Sequence, residues 1–293
     1  MVYARAELKK LYDPEILQRP MRVVELMSGS GTNVVKTLEH QNALAAARGK
    51  SPYEVVAIFT DNKGSKAEQI AAKFSLPFEC EDMEDFYREY GHPNKRDLSL
   101  RTQYFERVVR RLEQYKPDTI VLGGFMSIVT EPLLSAWLGI NVHPADLSII
   151  ENERRKYTGD KAVRDQILDG EPELRSSTHI VRHDVDYGEV LMVSGSVPVD
   201  LEKAAMKLAD EGLLNIDLDP RTFDLEFLRD PKNRRVSKMI ADKHQDWLKE
   251  KGDWVILPQT VEWIADGRFA MGRKGIYVDS LWVPNGYRLE TSN

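Results

Sequence analysis

The chain has 293 residues, of which 42% are hydrophobic and 30% charged, with a formal net charge of −6. That length can bury one large or two modest cores, and the acidic balance excludes a general nucleic-acid or membrane-surface role, since both partners are polyanions. The single cysteine, Cys80, excludes an internal disulfide and a cysteine metal cluster and points to a reducing, cytoplasmic setting.

Residues 1–20 read as a short amphipathic helical extension closed by Pro20, with mixed charges in place of the apolar core of a signal peptide. RVVELM (22–27) is a β-rich run ended by Ser28 and Gly29. Residues 33–48 then carry helical spacing in Val34, Val35, Leu38 and Leu44. YEVVAIFTD (53–61) predicts a second buried strand. It is followed by helices over 64–74 and 101–115 and a third strand over 118–125. Next come EPLLSAWL (131–138), GINVHP (139–144), a helix over 160–169, and strands over 177–182 and 190–199. Residues 200–250 are helical and strongly charged, and the segment 268–284 reads as two strands around a Gly-Arg-Lys-Gly turn.

Strands alternating with helices imply right-handed βαβ units. The expected fold is therefore α/β: a Rossmann-like, mainly parallel sheet with helices on both faces, plus a C-terminal helix and β-hairpin. The expected organisation is an N-terminal extension (1–20), a core domain (21–200), a charged helical insertion (201–245), and a C-terminal helix and hairpin completing the core (246–293). No apolar run approaches a membrane span. In an open α/β sheet, ligands sit beyond the carboxyl ends of the strands. That rule selects residues 28–33, 61–64, 125–128 and 141–146.

SGSGTN (28–33) offers backbone N–H groups at a helix start, an anion site that needs no cation. It lacks the third glycine of a dinucleotide fingerprint and the Gly-Lys-Ser/Thr of a nucleotide P-loop, and it equally suits a tight turn. In NVHP (141–144), Asn141 and His143 are two apart on a strand and project the same way. The first could donate to an oxyanion and the second could move a proton, or the two could be a satisfied polar pair. HDVDYGEV (183–190) sets Asp184, Asp186 and Gly188 in a turn, where an acid could orient a histidine or simply face solvent. His179 and His183 are four apart across a strand and a turn with no third ligand in view, so no metal is expected.

Taken together and in order, these segments resemble the folate-dependent formyltransferases, most of all the branch that acts on phosphoribosylglycinamide in purine biosynthesis. ELMSGSGTN (25–33), VAIFTDNKGSKAEQIAAKFSLP (56–77), PDTIVLGGFMSIVTEPLL (117–134), INVHPADL (140–147) and STHIVRHDVDYGEVL (177–191) carry the resemblance. VEWIADGRFAM (261–271) and WVPNGY (282–287) extend it to the C-terminal helix and hairpin.

The resemblance implies transfer of a formyl group from 10-formyltetrahydrofolate, a co-substrate, to the primary amine of a phosphate-bearing small molecule, with no metal. It gives Asn141, His143 and Asp186 the catalytic places, with His143 acting as a donor and Asp186 relaying protons through it or through a water. Gly29, Ser30, Gly31, Thr32 and Asn33 take the substrate phosphate. Arg101, Phe125, Met126, Ser127 and Ile128 take the folate, and Asp253 the substrate ribose. The expected partners are small molecules, neither nucleic acid nor membrane, with a homodimer left open.

The chain also departs from the family pattern. The stretch 145–158 is longer and more charged, Ser127 replaces an arginine, Arg175 or Ser176 a glycine, and Tyr187 the first glycine of an Asp-Gly-Gly run. The alternatives are a formyltetrahydrofolate hydrolase, a formyltransferase for another amine such as a sugar nucleotide, and a noncatalytic ligand-binding relative.

Overall fold

The computed structural model describes residues 8–92, 98, 100–214 and 223–290; residues 1–7 of the expected extension and 215–222 of the expected insertion lie outside them. An eight-stranded sheet is built from β1 (Met21–Met27), β2 (Tyr53–Thr60), β3 (Phe78–Cys80), β4 (Thr119–Leu122), β5 (Leu138–His143), β6 (Ser177–Ile180), β7 (Val190–Val193) and β8 (Tyr287–Arg288). Its order is β8-β7-β6-β5-β4-β1-β2-β3. The pairs β1·β2, β2·β3, β1·β4 and β4·β5 are parallel.

Strands β1 to β3 step outward in one direction, and β4 then returns to the other side of β1. The gap between β1 and β4 is therefore the point where strand order reverses, and it places a crevice between the loops that follow those two strands. β1, with Val23, Val24, Leu26 and Met27 all without exposed surface, is covered on both faces, and Glu25 is the one polar residue in that buried run.

The chain divides into two compact units. The first comprises Met1–Val142, Thr178–Leu191 and Leu257–Tyr287. Here helix α1 (Thr32–Arg48) stops at Gly49, whose φ of 77° suits a glycine after a helix end. Helix α2 (Ala67–Phe74) follows β2, and helix α3 (Arg101–Leu112) turns Tyr104, Phe105, Val108 and Leu112 into one core with Leu26, Phe59, Phe86 and Phe125. The expected C-terminal hairpin is present as Phe269–Gly272 paired antiparallel with Gly275–Val278.

Among the described residues the helix expected over 1–20 shrinks to one turn, Pro14–Leu17. Asp13 caps it through Oδ1 to the Glu15 amide (3.1 Å), and Pro14 at the first position cannot continue a helix toward the N-terminus. Lys9–Lys10 is instead a strand antiparallel to Phe269–Gly272. The strand expected over 190–199 is likewise broken after Val193. Val197–Pro198 pairs with Glu173–Leu174, at a sheet edge where a proline is tolerated.

The second unit comprises His143–Ser177, Met192–Ile256 and Arg288–Asn293. The charged segment read as an insertion is built into its core. Helices α5 (Leu201–Asp210) and α6 (Arg234–Leu248) turn Ala204, Ala205, Leu208, Ile240 and Leu248 against Val163 and Ile167 of helix α4 (Ala162–Asp169). Charges on the outer faces hide this apolar stripe in a composition count. His244 is fully buried there as a neutral ring: Nδ1–H donates to the Ile240 carbonyl (2.8 Å) and Nε2 accepts the Asp200 amide (3.0 Å). Burial holds its pKa below the usual histidine range.

Candidate active site

The loops after β1 and β4 meet at the crevice. The Ser28 amide donates to the Gly124 carbonyl (3.1 Å), and Ser28 Oγ accepts the Met126 amide (2.9 Å). On the other side, Asn62 Nδ2 donates to the Ser28 carbonyl (2.9 Å) and the Lys66 amide to the Gly29 carbonyl (3.0 Å). Loop 28–31 is thus fixed by its main chain. Gly31 adopts φ 67°, and a Cβ on it would stand 2.5 Å from Ile70 Cδ1 and 2.6 Å from Met27 Sδ. At this position the left-handed conformation favours glycine, and a Cβ would also push the ends of the Ile70 and Met27 side chains aside. A Cβ on Gly29 would meet nothing within 4 Å. Gly29, Ser30 and Thr32 are exposed beside the first turn of α1, which carries no side-chain cap, so its leading amides are open to an anion.

Residues 124–128 form the neighbouring wall. Phe125 belongs to the core, whereas Met126 is 73% exposed and Ile128 44%. Ser127 donates a short hydrogen bond to Asp61 Oδ2, and Asp61 Oδ1 is buried without a partner. Arg101, expected near the folate tail, is itself buried. Its Nη1 donates to the Ile128 carbonyl (3.2 Å) and its Nε to the Tyr87 hydroxyl (3.2 Å), which braces the wall.

At the end of β5, Asn141 Nδ2 lies 3.2 Å from His179 Nε2 on β6. His179 Nδ1 is 2.9 Å from the Ile180 carbonyl, which can only accept, so Nδ1 carries a proton and Nε2 is the nitrogen turned toward the Asn141 amide. Asp186 Oδ1 stands 3.6 Å from the same Nε2. Asp186 is buried at φ 61°, a left-handed conformation that aspartate tolerates. The turn that holds it closes on Gly188, where a Cβ would fall 1.7 Å from the Ile180 carbonyl oxygen.

His179 is a member of this cluster that sequence reasoning misses, since spacing alone presents it as half of a failed metal pair. The signal for it is its place in STHIV, two residues after Ser177 on a strand that ends beside Asn141. His183, four residues on, has an 85% exposed side chain and lies apart. Among the described residues, no group of three His, Cys, Asp or Glu side chains is placed to hold a metal ion.

His143, two residues after Asn141 on β5, is 5% exposed, and its Nε2 donates to the Tyr157 carbonyl (2.9 Å). A carbonyl can only accept, so Nε2 carries a proton and Nδ1 is the ring nitrogen that this bond leaves unused. The lengthened stretch 145–158 supplies the carbonyl. It folds as a hairpin, Ile150–Glu151 against Arg154–Arg155, turned by Asn152 and Glu153 at φ 50° and 62°. Tyr157 is pinned by its hydroxyl to Glu171 (2.7 Å) and Asp169 (3.2 Å).

Asp253 ends a π-helical turn, Lys249–Asp253, and accepts from Ser176 Oγ (2.5 Å). It is 5% exposed, and burial pushes its carboxyl up to about 6. The folded carboxyl therefore keeps its proton over a range where the unfolded chain has lost it, and stability falls as pH rises from about 4 to about 6. Asp253→Asn, which can still accept from Ser176, is expected to flatten that slope and to stabilise the fold at pH 7 by about 2 kcal/mol. Thermal melts of both proteins at pH 4.5 and 7 check this; parallel pH dependence would sink it.

The sequence of residues 21–213 matches the formyl transferase family. Phosphoribosylglycinamide formyltransferase of Escherichia coli (strain K12) is 23% identical over 270 residues, covering 91% of this chain and 98% of that protein. The trifunctional purine biosynthetic protein adenosine-3 of Drosophila melanogaster is 27% identical over 184 residues, 62% of this chain and 12% of that longer protein. Among solved structures, a phosphoribosylglycinamide formyltransferase from Coxiella burnetii superposes with a TM-score of 0.58 at 21% identity, over 92% of this chain and all of that one. Because the family match runs through most of the sheet and over more than half of the sequence, the chain belongs to the formyl transferase family.

Proposed function

We propose that the protein transfers the formyl group of 10-formyltetrahydrofolate to the amine of phosphoribosylglycinamide. The observation that carries this reading is the Asn141 amide, aligned 3.2 Å from His179 Nε2 with the Asp186 carboxylate 3.6 Å from that nitrogen, in a chain of this family. Attack of the amine on the formyl carbon forms a tetrahedral intermediate with an oxyanion. Asn141 Nδ2–H donates to that oxygen, and protonated His143 donates to it from Nδ1. Asp186 takes up the proton lost by the amine, directly or through a water, and N10 of the folate is protonated as the carbon–nitrogen bond breaks.

On this reading the acceptor's phosphate rests on Gly29, Ser30, Gly31, Thr32 and Asn33; the exposure of Gly29, Ser30 and Thr32 and the uncapped start of α1 suit a dianion. Phe125–Ile128, braced by Arg101, line the folate, and Asp253 receives the ribose hydroxyls. The free thiol of Cys80 supports a cytoplasmic setting. The test is loss of formyl from 10-formyltetrahydrofolate with and without phosphoribosylglycinamide. Loss only with the amine is the expected result. Loss without it would make the protein a hydrolase, and no loss in either case would exclude this acceptor.

A further inference from the structure

The first strand carries a carboxyl group for which the proposed reaction has no use. Glu25 lies in the middle of β1 with no exposed surface; the Thr37 hydroxyl that faces it donates instead to the Asn33 carbonyl (3.2 Å), which leaves both carboxyl oxygens without a hydrogen bond. Its neighbours belong to the helix start beside loop 28–33. A Cβ on Gly123 would stand 2.9 Å from Glu25 Oε2, 2.9 Å from Val34 Cγ2 and 3.4 Å from the Val34 backbone nitrogen. The Val34 amide is one of the first in α1, so the carboxyl and the helix start are neighbours across Gly123. A second buried polar atom in the same turn, Asn33 Oδ1, is also without a partner.

From α1, the uncharged Val34 and Thr37 face Glu25. From β2, the titratable Tyr53 faces it, its hydroxyl donating to the Thr37 carbonyl (2.8 Å) and its phenol held neutral by burial and by the carboxyl itself. Glu262, which also acts on Tyr53, is paired with Arg48 and with His40 (2.7 Å). Among the described residues no cation is set against Glu25, and burial raises its carboxyl well above the usual range.

The leading amides of α1 create positive potential on the outer side of the turn. A carboxylate on the inner side would cancel part of it and repel a dianion through poorly polarisable protein. We infer that Glu25 sets the phosphate affinity of loop 28–33 through its charge: the loop takes a phosphate monoester dianion while Glu25 is protonated and rejects it once the carboxylate forms. This rests on the reading of the loop as the acceptor's phosphate site. By linkage, the bound dianion holds the proton on Glu25, and at alkaline pH binding draws a proton from solvent.

Glu25→Gln keeps the shape and fixes the neutral form, and Glu25→Leu is a second neutral variant should the first fail to fold. Calorimetric titration of the full chain with phosphoribosylglycinamide from pH 6.5 to 9.5 gives Kd for wild type and variant, and the ligand's own titration cancels in their ratio. The expected ratio is near one at the acid end of the series and rises toward alkaline pH, to at least about fivefold in favour of the variant once the carboxylate forms. Proton uptake at pH 8.5, read from two buffers of different ionisation enthalpy, is expected for wild type alone. Equal affinity at every pH overturns the role of Glu25 and leaves the phosphate site standing. Failure of every protein to bind, or equal binding of the dephosphorylated riboside, overturns the phosphate reading and this inference with it.

Discussion

Asn141→Ala is expected to lower kcat for formyl transfer by about a hundred- to a thousandfold while KM for both substrates stays within about a factor of three. The amide's contribution belongs to the oxyanion, which exists only after attack, so its removal should leave ground-state binding nearly unchanged. Asp186→Asn is the companion variant. Asparagine accepts the left-handed φ of 61° without added strain, so the fold should survive while the proton relay is lost. Steady-state kinetics with saturating folate donor, together with melting curves, separate the two effects. A raised KM with unchanged kcat for Asn141→Ala would make this residue a binder rather than a catalyst.

Gly188→Ala should have the largest structural effect of any single methyl addition in the site. The new Cβ would lie 1.7 Å from the Ile180 carbonyl oxygen, and the Ile180 amide pairs with Glu189 one residue further on (3.0 Å). The clash leaves no route but separation of β6 from the turn, at a cost of about 3 kcal/mol or more. Asp186, two residues earlier, moves with it. We expect a melting temperature lower by several degrees and activity near that of Asp186→Asn. A variant with wild-type stability would show that the turn relaxes some other way. Gly29→Ala is the contrasting control, since its Cβ points into open space and should leave stability unchanged.

Much of this site is legible in the amino-acid sequence. Asn141 and His143 mark themselves by alternation on a short strand, and Asp186 and Gly188 by their turn chemistry. The two glycines of SGSGTN fall between a strand and a helix, the place where such a fold can offer amides to an anion. What the sequence hides is the set of contacts made across sequence distance. His179 invites comparison with His183 because the two are close in sequence, yet the partner that gives it meaning is Asn141 on the adjacent strand. Arg101 matches the family pattern, but its burial against Tyr87 and the Ile128 carbonyl depends on how α3 packs. The helices of 201–245 look like a charged appendage because exposed Lys, Arg, Asp and Glu outnumber the Ala, Leu and Ile that form the second core. Glu25 reads as one polar residue in a strand, and only its burial makes it unusual.

The bond from His143 to Tyr157 is accepted by a peptide carbonyl, and every amino acid carries one. The hairpin before it is therefore blind to spelling but sensitive to arithmetic. Arg154 is exposed, and Glu151 is exposed and meets only the Lys156 amine (3.5 Å) among the described residues, so exchanges at these two leave the ladder in place. Removing one residue from 149–156 would shift the frame of the ladder and carry a different carbonyl to the imidazole, or none. Drift in this part of the chain is thus constrained in length and path far more than in composition, and substitution counts alone would misjudge its importance to the histidine.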